Sequence, residues 1–252
     1  FIDMTVSIIT DSLSLGRIDY DKNKIKPNIK VHQYECWPWL ISKSHQVYIN
    51  AKRERTTDYL ITEDVKYESI DLVNPDCIVI QIGVVDCAPR VISLLEKRIL
   101  NLWVFPKFIR DRIIKERSAR RNAIQEENPL KKVYVEPQDF KNNISTFVES
   151  NQHIKIIAIP ILCDNQIIDK TSIGFSSNVK RYNNILANLS IKYSNLNYVD
   201  SLESMNNQSE FFCMDGYHLT AHGHSHITNN LLSLLDNSPK LTVKYRNSNG
   251  KF

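Results

Sequence analysis

The sequence lacks several features that would assign it to a membrane, a secretory route or a disulfide-rich class. No apolar run approaches the roughly 18 consecutive residues of a membrane span, and the start lacks the basic-then-apolar layout of a signal peptide. The five cysteines are odd in number and include no C-x-x-C pair. These absences favour a cytoplasmic protein with reduced thiols in its core. The cysteines are Cys36, Cys77, Cys87, Cys163 and Cys213.

A strong charge of one sign is also absent. The 32 basic and 28 acidic residues give a formal net charge of +4, which is compatible with an anionic ligand but too weak to indicate nucleic acid. The densest basic run, residues 110–121, is interpreted as the solvated face of a long helix, with an anionic binding surface as the alternative. Its cations are Arg110, Arg112, Lys115, Arg117, Arg120 and Arg121.

The length and apolar content suit one elaborated α/β domain, since 252 residues with 42% hydrophobic composition can bury a sizeable core. We expect this domain at residues 4–240, followed by a tail at 241–252. The chain starts with Phe1. Residues 1–3 are therefore expected to be a cloning remnant before a natural start at Met4, or the end of an upstream segment that was removed.

Apolar runs alternate with helical patterns along the chain. The run at residues 77–82 is continuously apolar on both faces apart from Gln81, which is typical of a parallel strand covered by helices. Alternation of this kind predicts an α/β fold, a three-layer α/β/α sandwich around a parallel five-stranded sheet. Strands are predicted at 4–9, 46–50, 77–82, 154–162 and 197–200, and helices at 34–41, 90–101, 107–125, 138–150, 179–193 and 220–235.

A small polar side chain follows the first strand, at Thr10-Asp11-Ser12. In an open parallel sheet, ligands bind beyond the carboxyl ends of the strands, where neighbouring crossovers go to opposite faces. If the first and third strands flank that point, the loops 10–13 and 83–86 face each other across it. Ser12 is therefore a candidate nucleophile, and the alternative is a helix cap formed by Ser12, Asp11 or Ser14.

An acid precedes a histidine by three residues near the C-terminus, in Asp215-x-x-His218. A serine hydroxyl needs an adjacent imidazole to take its proton, and the imidazole needs a carboxylate to fix its tautomer. The sequence therefore predicts that Ser12, His218 and Asp215 act together. A zinc site is the alternative for the histidines at 218, 222, 224 and 226, but no glutamate accompanies them as in H-E-x-x-H. We expect no metal and no cofactor.

Four blocks resemble the SGNH/GDSL hydrolase superfamily. They are the first block of the superfamily at Thr10 to Ser14, its third block at Gln81 to Asp86, the helix before its last strand at Tyr182 to Leu186, and its final Asp-x-x-His block at Asp215 to His218. The resemblance implies a flavodoxin-like sandwich in which Ser12 is the nucleophile, His218 the base and Asp215 its orienting acid, with a covalent ester on Ser12. The stretch Gly-Val-Val-Asp-Cys-Ala-Pro-Arg at 83–90 further resembles a subgroup from bacterial surface-polysaccharide gene clusters.

The sequence departs from the pattern of that superfamily in three places. Thr10 stands where a glycine usually precedes Asp-Ser. Val85 stands where an asparagine side chain completes the oxyanion hole, and residues 51–57 contain no glycine for the second block. Loss of one oxyanion donor typically costs about 10²- to 10³-fold in rate. Either the backbone N–H groups of Ser12 and of the loop 52–55 substitute for these donors, with positive charge from Arg53 or Arg55, or the enzyme is slow or inactive.

Further candidates flank these loops. Gly83 and Asp86 belong to the third block, and Asp86 is expected to orient Arg90, His218 or a loop amide, or to cap a helix near Pro89. Arg17 and Arg90 are predicted to clamp an acidic sugar or a phosphate-bearing carrier, with ordinary surface ion pairs as the alternative.

Three functions remain open from the sequence. The first is a serine esterase or deacetylase acting on O-acyl groups of a carbohydrate or another small ester. The second is an O-acyltransferase with the same residues, which acts on a surface polysaccharide or its precursor. The third is a non-catalytic carbohydrate-binding module that keeps the fold. The residues do not determine the oligomeric state.

Overall fold

The computed structural model describes residues 4–19, 29–92, 96, 99–100, 106–119 and 133–236. Five strands form one parallel sheet in the order β4-β1-β5-β6-β7, and β2 and β3 form a separate antiparallel pair. This topology confirms the predicted α/β fold with a parallel five-stranded sheet. The strands are β1 (Thr5–Thr10), β2 (Arg17–Asp19), β3 (Ile29–Val31), β4 (Gln46–Ala51), β5 (Cys77–Gln81), β6 (Lys155–Ala158) and β7 (Leu196–Tyr198).

Helices cover both faces of the sheet. The described α-helices are α1 (Trp37–Ile41), α2 (Glu63–Val65), α3 (Val84–Cys87), α4 (Lys107–Ala119), α5 (Pro137–Ser150), α6 (Asn165–Thr171), α7 (Phe175–Lys192) and α8 (Ala221–Asp236). A π-helix spans Lys66–Asp71, and 3-10 turns span Ser12–Ser14, Gln33–Glu35, Thr57–Ile61, Asp200–Met205 and Ser209–Phe211.

Strand alternation divides the core into two layers. On β5, Ile78 and Ile80 join a cluster with residues of α5 and α7. Val79 between them joins a second cluster with Trp37 of α1 and Leu231 of α8. Because successive strand residues point to opposite faces, a strand buried on both sides needs apolar residues at every position. This explains why the run at 77–82 is almost continuously apolar.

Several predicted boundaries were inexact. The run at 154–162 forms a strand only over Lys155–Ala158. Helix α7 begins at Phe175 rather than 179, because Gly174 caps it with a φ of +79°. The short helix α3 was not predicted. Residues 90–92 of the predicted helix 90–101 are not helical, and half of that segment and the end of the predicted helix 107–125 lie outside the described residues.

The first and third strands of the main sheet are neighbours, as the site prediction required. Strand β1 pairs with both β4 and β5, so the crossovers diverge between β1 and β5. The Asp11 backbone N–H donates to the Gln81 carbonyl at 3.4 Å, which joins the ends of the two strands. The Ser12 turn and helix α3 therefore lie side by side at the carboxyl ends of the strands.

All five cysteines are buried free thiols. Within the described ranges, no helix is both long enough and apolar enough to cross a membrane.

Candidate active site

The turn after β1 presents the Ser12 hydroxyl. Asp11 caps this turn, since its Oδ1 accepts a hydrogen bond from the Leu13 backbone N–H at 2.8 Å. The capping alternative therefore applies to Asp11 and not to Ser12. The Ser12 Oγ instead lies 3.2 Å from the Nε2 of His218.

The Asp215–His218 loop is fixed by its own backbone. Asp215 Oδ1 accepts hydrogen bonds from the backbone N–H of His218 at 3.0 Å and of Tyr217 at 3.3 Å. Asp215 Oδ2 lies 2.7 Å from His218 Nδ1. Gly216 between them has a φ of +81°, and a Cβ there would come within 2.9 Å of Ile167. With Nδ1–H donating to the carboxylate, a neutral imidazole presents the Nε2 lone pair to Ser12.

Arg17 joins this arrangement from β2. Its Nη2 lies 2.6 Å from Asp215 Oδ2, and its Nη1 lies 3.4 Å from His218 Nε2. Burial alone would raise the pKa of Asp215, but the hydrogen bonds from His218 and the charges of His218 and Arg17 lower it below its ordinary value. The carboxylate is therefore ionised wherever the protein is folded near neutral pH.

A cleft of about 460 Å³ opens above Ser12 and His218. Aromatic rings form part of its wall, and Tyr217 packs against the His218 ring with centroids 4.6 Å apart. The sequence reasoning missed the three wall aromatics, although Tyr217 lies inside the Asp-x-x-His block. Tyr134 precedes helix α5, and Phe175 is the first residue of helix α7. Neither residue belongs to a sequence motif. The polar side chains of the wall include Arg17, Arg53, Glu54 and Arg90.

Of the third-block residues, 81–86, two valines form part of the cleft wall, and neither side chain can donate a hydrogen bond to an oxyanion. Val85 lines the cleft, and its carbonyl accepts a hydrogen bond from Arg90 Nη2 at 3.1 Å. Gly83 does not line the cleft, contrary to expectation. It has a φ of +136°, and a Cβ there would lie 2.7 Å from the Ile161 side chain. Gly83 therefore allows β5 to turn tightly into α3, which positions Val85.

Asp86 lies beneath the site and not in it. Its Oδ1 accepts hydrogen bonds from the Thr57 backbone N–H, at 2.9 Å, and from the Thr57 hydroxyl. Of its expected partners, the loop amide is therefore the one observed, and Arg90 bonds Val85 instead. Burial raises the pKa of Asp86 to about 7, although the hydrogen bonds from Thr57 oppose the shift.

The two arginines of the second-block loop, Arg53 and Arg55, were both predicted to add positive charge to the site, but they have different surroundings. Arg53 lines the cleft, but Arg55 does not. Arg55 is 7% exposed and donates to the carbonyls of Thr10 and Asn50, with its guanidinium 3.8 Å from the centre of the Tyr59 ring. The expectation for Arg55 was therefore wrong, because its donors hold the ends of β1 and β4 together.

Glu54 has a backbone conformation that favours glycine, in a loop that contains none. Its φ is +60°, in the left-handed region that favours glycine. Glu54 also lines the cleft. The loop therefore keeps a glycine-like backbone turn without a glycine.

The remaining histidines of the C-terminal run have other contacts. His222 and His226 both pack against the Phe211 ring, at centroid distances of 4.8 and 5.0 Å. His224 is buried, and its Nδ1 accepts a hydrogen bond from the Trp37 backbone N–H at 3.3 Å. In the part of the chain that is described, no three metal-binding side chains form a group.

No protein-family model and no curated protein matches the chain. Solved structures do match, and those described below have low sequence identity to this chain. A lipase/acylhydrolase from Enterococcus faecalis aligns with a TM-score of 0.60 and 14% identity over 94% of this chain and 98% of its own. An acetylxylan esterase from Geobacillus stearothermophilus aligns with a TM-score of 0.54 and 14% identity over 92% of this chain and 94% of its own.

A phospholipase A1 from Streptomyces albidoflavus aligns with a TM-score of 0.53 and 13% identity, over 92% of this chain and 99% of its own. The similarity spans nearly the whole of each chain, so it concerns the complete sheet and both helical layers. The chain therefore has the same α/β fold as these lipase and esterase structures.

Proposed function

We propose that the protein is a serine esterase that removes O-acyl groups from a carbohydrate. The observation that carries this proposal is the unbroken contact series from Ser12 Oγ to His218 Nε2, at 3.2 Å, and from His218 Nδ1 to Asp215 Oδ2, at 2.7 Å. These are the separations at which a hydroxyl, an imidazole and a carboxylate exchange and stabilise a proton. The known structures that share the fold include an acetylxylan esterase and a lipase/acylhydrolase, which supports ester cleavage.

The proposed reaction has two steps, acylation of Ser12 and hydrolysis of the acyl-enzyme. Ser12 Oγ forms a bond to the ester carbonyl carbon as its proton passes to His218 Nε2, and the leaving sugar oxygen takes that proton as its bond to the acyl carbon breaks. Water then attacks the acyl carbon and gives a proton to His218. The bond between the acyl carbon and Ser12 Oγ breaks, the free acid leaves, and Ser12 Oγ takes the proton back from His218. Asp215 stays ionised and stabilises the imidazolium in both steps.

Backbone groups form the oxyanion site in this proposal. Ser12 is the first residue of its helical turn, so its N–H has no acceptor within that turn. The Arg53–Glu54 turn follows β4 and lines the same cleft, in the place of the second block. Because Val85 offers no side-chain donor, the expected rate is about 10²- to 10³-fold below that of an enzyme with the full set.

A fluorophosphonate probe tests the proposal directly. We expect the wild-type protein to be labelled covalently at Ser12, and the Ser12→Ala variant to show no labelling. Release of acetate from acetylated xylo-oligosaccharides should follow the same pattern. Ser14→Ala is the matched control, since Ser14 lies in the same turn but is buried and is not in contact with His218.

The site proposal fails if the folded wild-type protein is neither labelled nor active on any acetylated sugar. The protein would then be a non-catalytic module with an intact Asp215–His218 pair. The carbohydrate assignment alone fails if Ser12 is labelled while only non-sugar esters are cleaved.

A further inference from the structure

The cleft above Ser12 has an excess of positive charge. Three arginines line it, Arg17, Arg53 and Arg90. Within the described residues, Glu54 is the only acid in that lining. A concave site of one sign concentrates ligands of the opposite sign.

The three arginines differ in how they are held. Arg17 is paired with Asp215 and lies beside His218, so its charge is directed at the proposed catalytic groups. The Arg53 side chain is largely exposed. Arg90 is half-buried in the wall, and no acid of the described residues forms an ion pair with it.

Arg90 is fixed by neutral contacts. The face of its guanidinium lies 4.1 Å from the centre of the Tyr134 ring, and Nη2 donates to the Val85 carbonyl at 3.1 Å. Its Nε is buried and has no hydrogen-bond partner among the residues that the structure describes. A guanidinium that is stacked on one face and bonded through one Nη2 hydrogen is held in place, and the remaining hydrogens of Nη1 and Nη2 are donors for a planar, bidentate anion.

We infer that the substrate ester carries an anionic group, a carboxylate or a phosphate, and that Arg90 binds that group. Val85 and Tyr134 hold the guanidinium so that little side-chain freedom is lost on binding. The inference rests on the proposed esterase function for its reaction, but the anion site itself does not depend on turnover.

Matched substrates test the inference. We compare kcat/KM for the methyl glycosides of acetylated galactose, acetylated galacturonic acid and acetylated galactose 6-phosphate at low ionic strength. One charge-assisted pair predicts a preference on the order of tenfold for the anionic esters. The carboxylate and phosphate arms identify the anion, and added salt should reduce the preference.

Variants assign the preference to Arg90. Arg90→Gln should lower the ratio of anionic to neutral kcat/KM about tenfold, whereas Glu54→Gln should raise it by removing the acid of the lining. Arg181→Gln is the matched control, because Arg181 is an exposed arginine on α7 outside this cleft. This control should leave both the ratio and the activity unchanged.

Binding separates the two proposals. Calorimetry with the Ser12→Ala protein compares galacturonate and galactose 6-phosphate with galactose. Preferential anion binding that is lost in Ser12→Ala/Arg90→Gln supports the site even if no ester is cleaved. A wild-type enzyme that cleaves neutral and anionic esters equally, or an Arg90→Gln loss that is equal on both, overturns the inference and leaves the esterase proposal standing.

Discussion

Arg17 and His218 share one acceptor, the Oδ2 of Asp215, at 2.6 and 2.7 Å. The same arginine places its Nη1 3.4 Å from the Nε2 that must accept the Ser12 proton. The Arg17 guanidinium N–H at that position competes with the Ser12 hydroxyl for the lone pair of His218 Nε2. In this arrangement Arg17 therefore restrains the proposed base.

Arg17→Met should speed the cleavage of a neutral ester. Methionine keeps much of the length of the side chain but has no donor for His218 Nε2, so we expect kcat/KM for 4-nitrophenyl acetate to rise by roughly two- to tenfold. Arg17→Lys keeps an N–H donor and should show no such gain. A loss of activity in Arg17→Met as large as that in Ser12→Ala would show that Arg17 is needed to hold Asp215 and does not restrain His218.

The buried carboxyl of Asp86 should make stability depend on pH. Burial raises its pKa from 3.8 to about 7. The folded protein therefore holds this proton more tightly than the unfolded chain, and the stabilisation is complete below about pH 4 and lost as pH rises to 7. From pH 5 to 8, the wild type should lose on the order of 2 kcal/mol of unfolding free energy relative to Asp86→Asn.

Urea unfolding of both proteins at pH 5, 6, 7 and 8 measures this difference. The amide introduced by Asp86→Asn keeps an oxygen that can accept the two Thr57 hydrogen bonds. Asp71→Asn is the control, since Asp71 is exposed, and this variant should change the unfolding free energy by less than about 0.5 kcal/mol. A constant difference for Asp86→Asn would show that the pKa of Asp86 is not raised.

The sequence predicted the sheet because its strands are buried on both faces and must be apolar throughout. It predicted that Ser12, Asp215 and His218 act together because a serine nucleophile needs an imidazole to take its proton and the imidazole needs a carboxylate. The role of Arg55 was mispredicted because nothing local distinguishes a guanidinium that caps strand ends from one that faces a cleft. That difference depends on Thr10, 45 residues earlier in the chain.

The same limit applies to Arg17. Its partner Asp215 lies near the other end of the chain, and the short antiparallel pair of β2 and β3 positions the arginine. Neither the spacing nor the charge of Arg17 indicates that contact. Sequence patterns determine local elements, whereas contacts of long side chains require the packed structure.

Asn183 should be needed for the stability of the loop that follows β6. Its Oδ1 accepts from the Ile161 backbone N–H at 2.8 Å, and its Nδ2 donates to the Ile161 carbonyl at 3.0 Å, both buried. Asn183→Ala leaves two buried backbone groups without these partners and should lower the unfolding free energy by about 2–3 kcal/mol in urea titrations. Asn184→Ala, at the exposed neighbouring position, should change it by less than about 0.5 kcal/mol. Equal effects of the two variants would contradict this role for Asn183.

Glu54 should be strained by its own Cβ. At a φ of +60°, an L-residue pays about 1–2 kcal/mol that glycine does not, while glycine costs about 0.5–1 kcal/mol in unfolded-chain entropy. The backbone strain of alanine is larger than the entropy cost of glycine, so Glu54→Gly should be more stable than Glu54→Ala by about 0.5–1 kcal/mol. The pair is matched because both variants lose the same carboxylate, and only the Cβ differs. Thermal unfolding measures the difference, and an alanine variant that is the more stable would show that the loop does not hold a glycine-like turn.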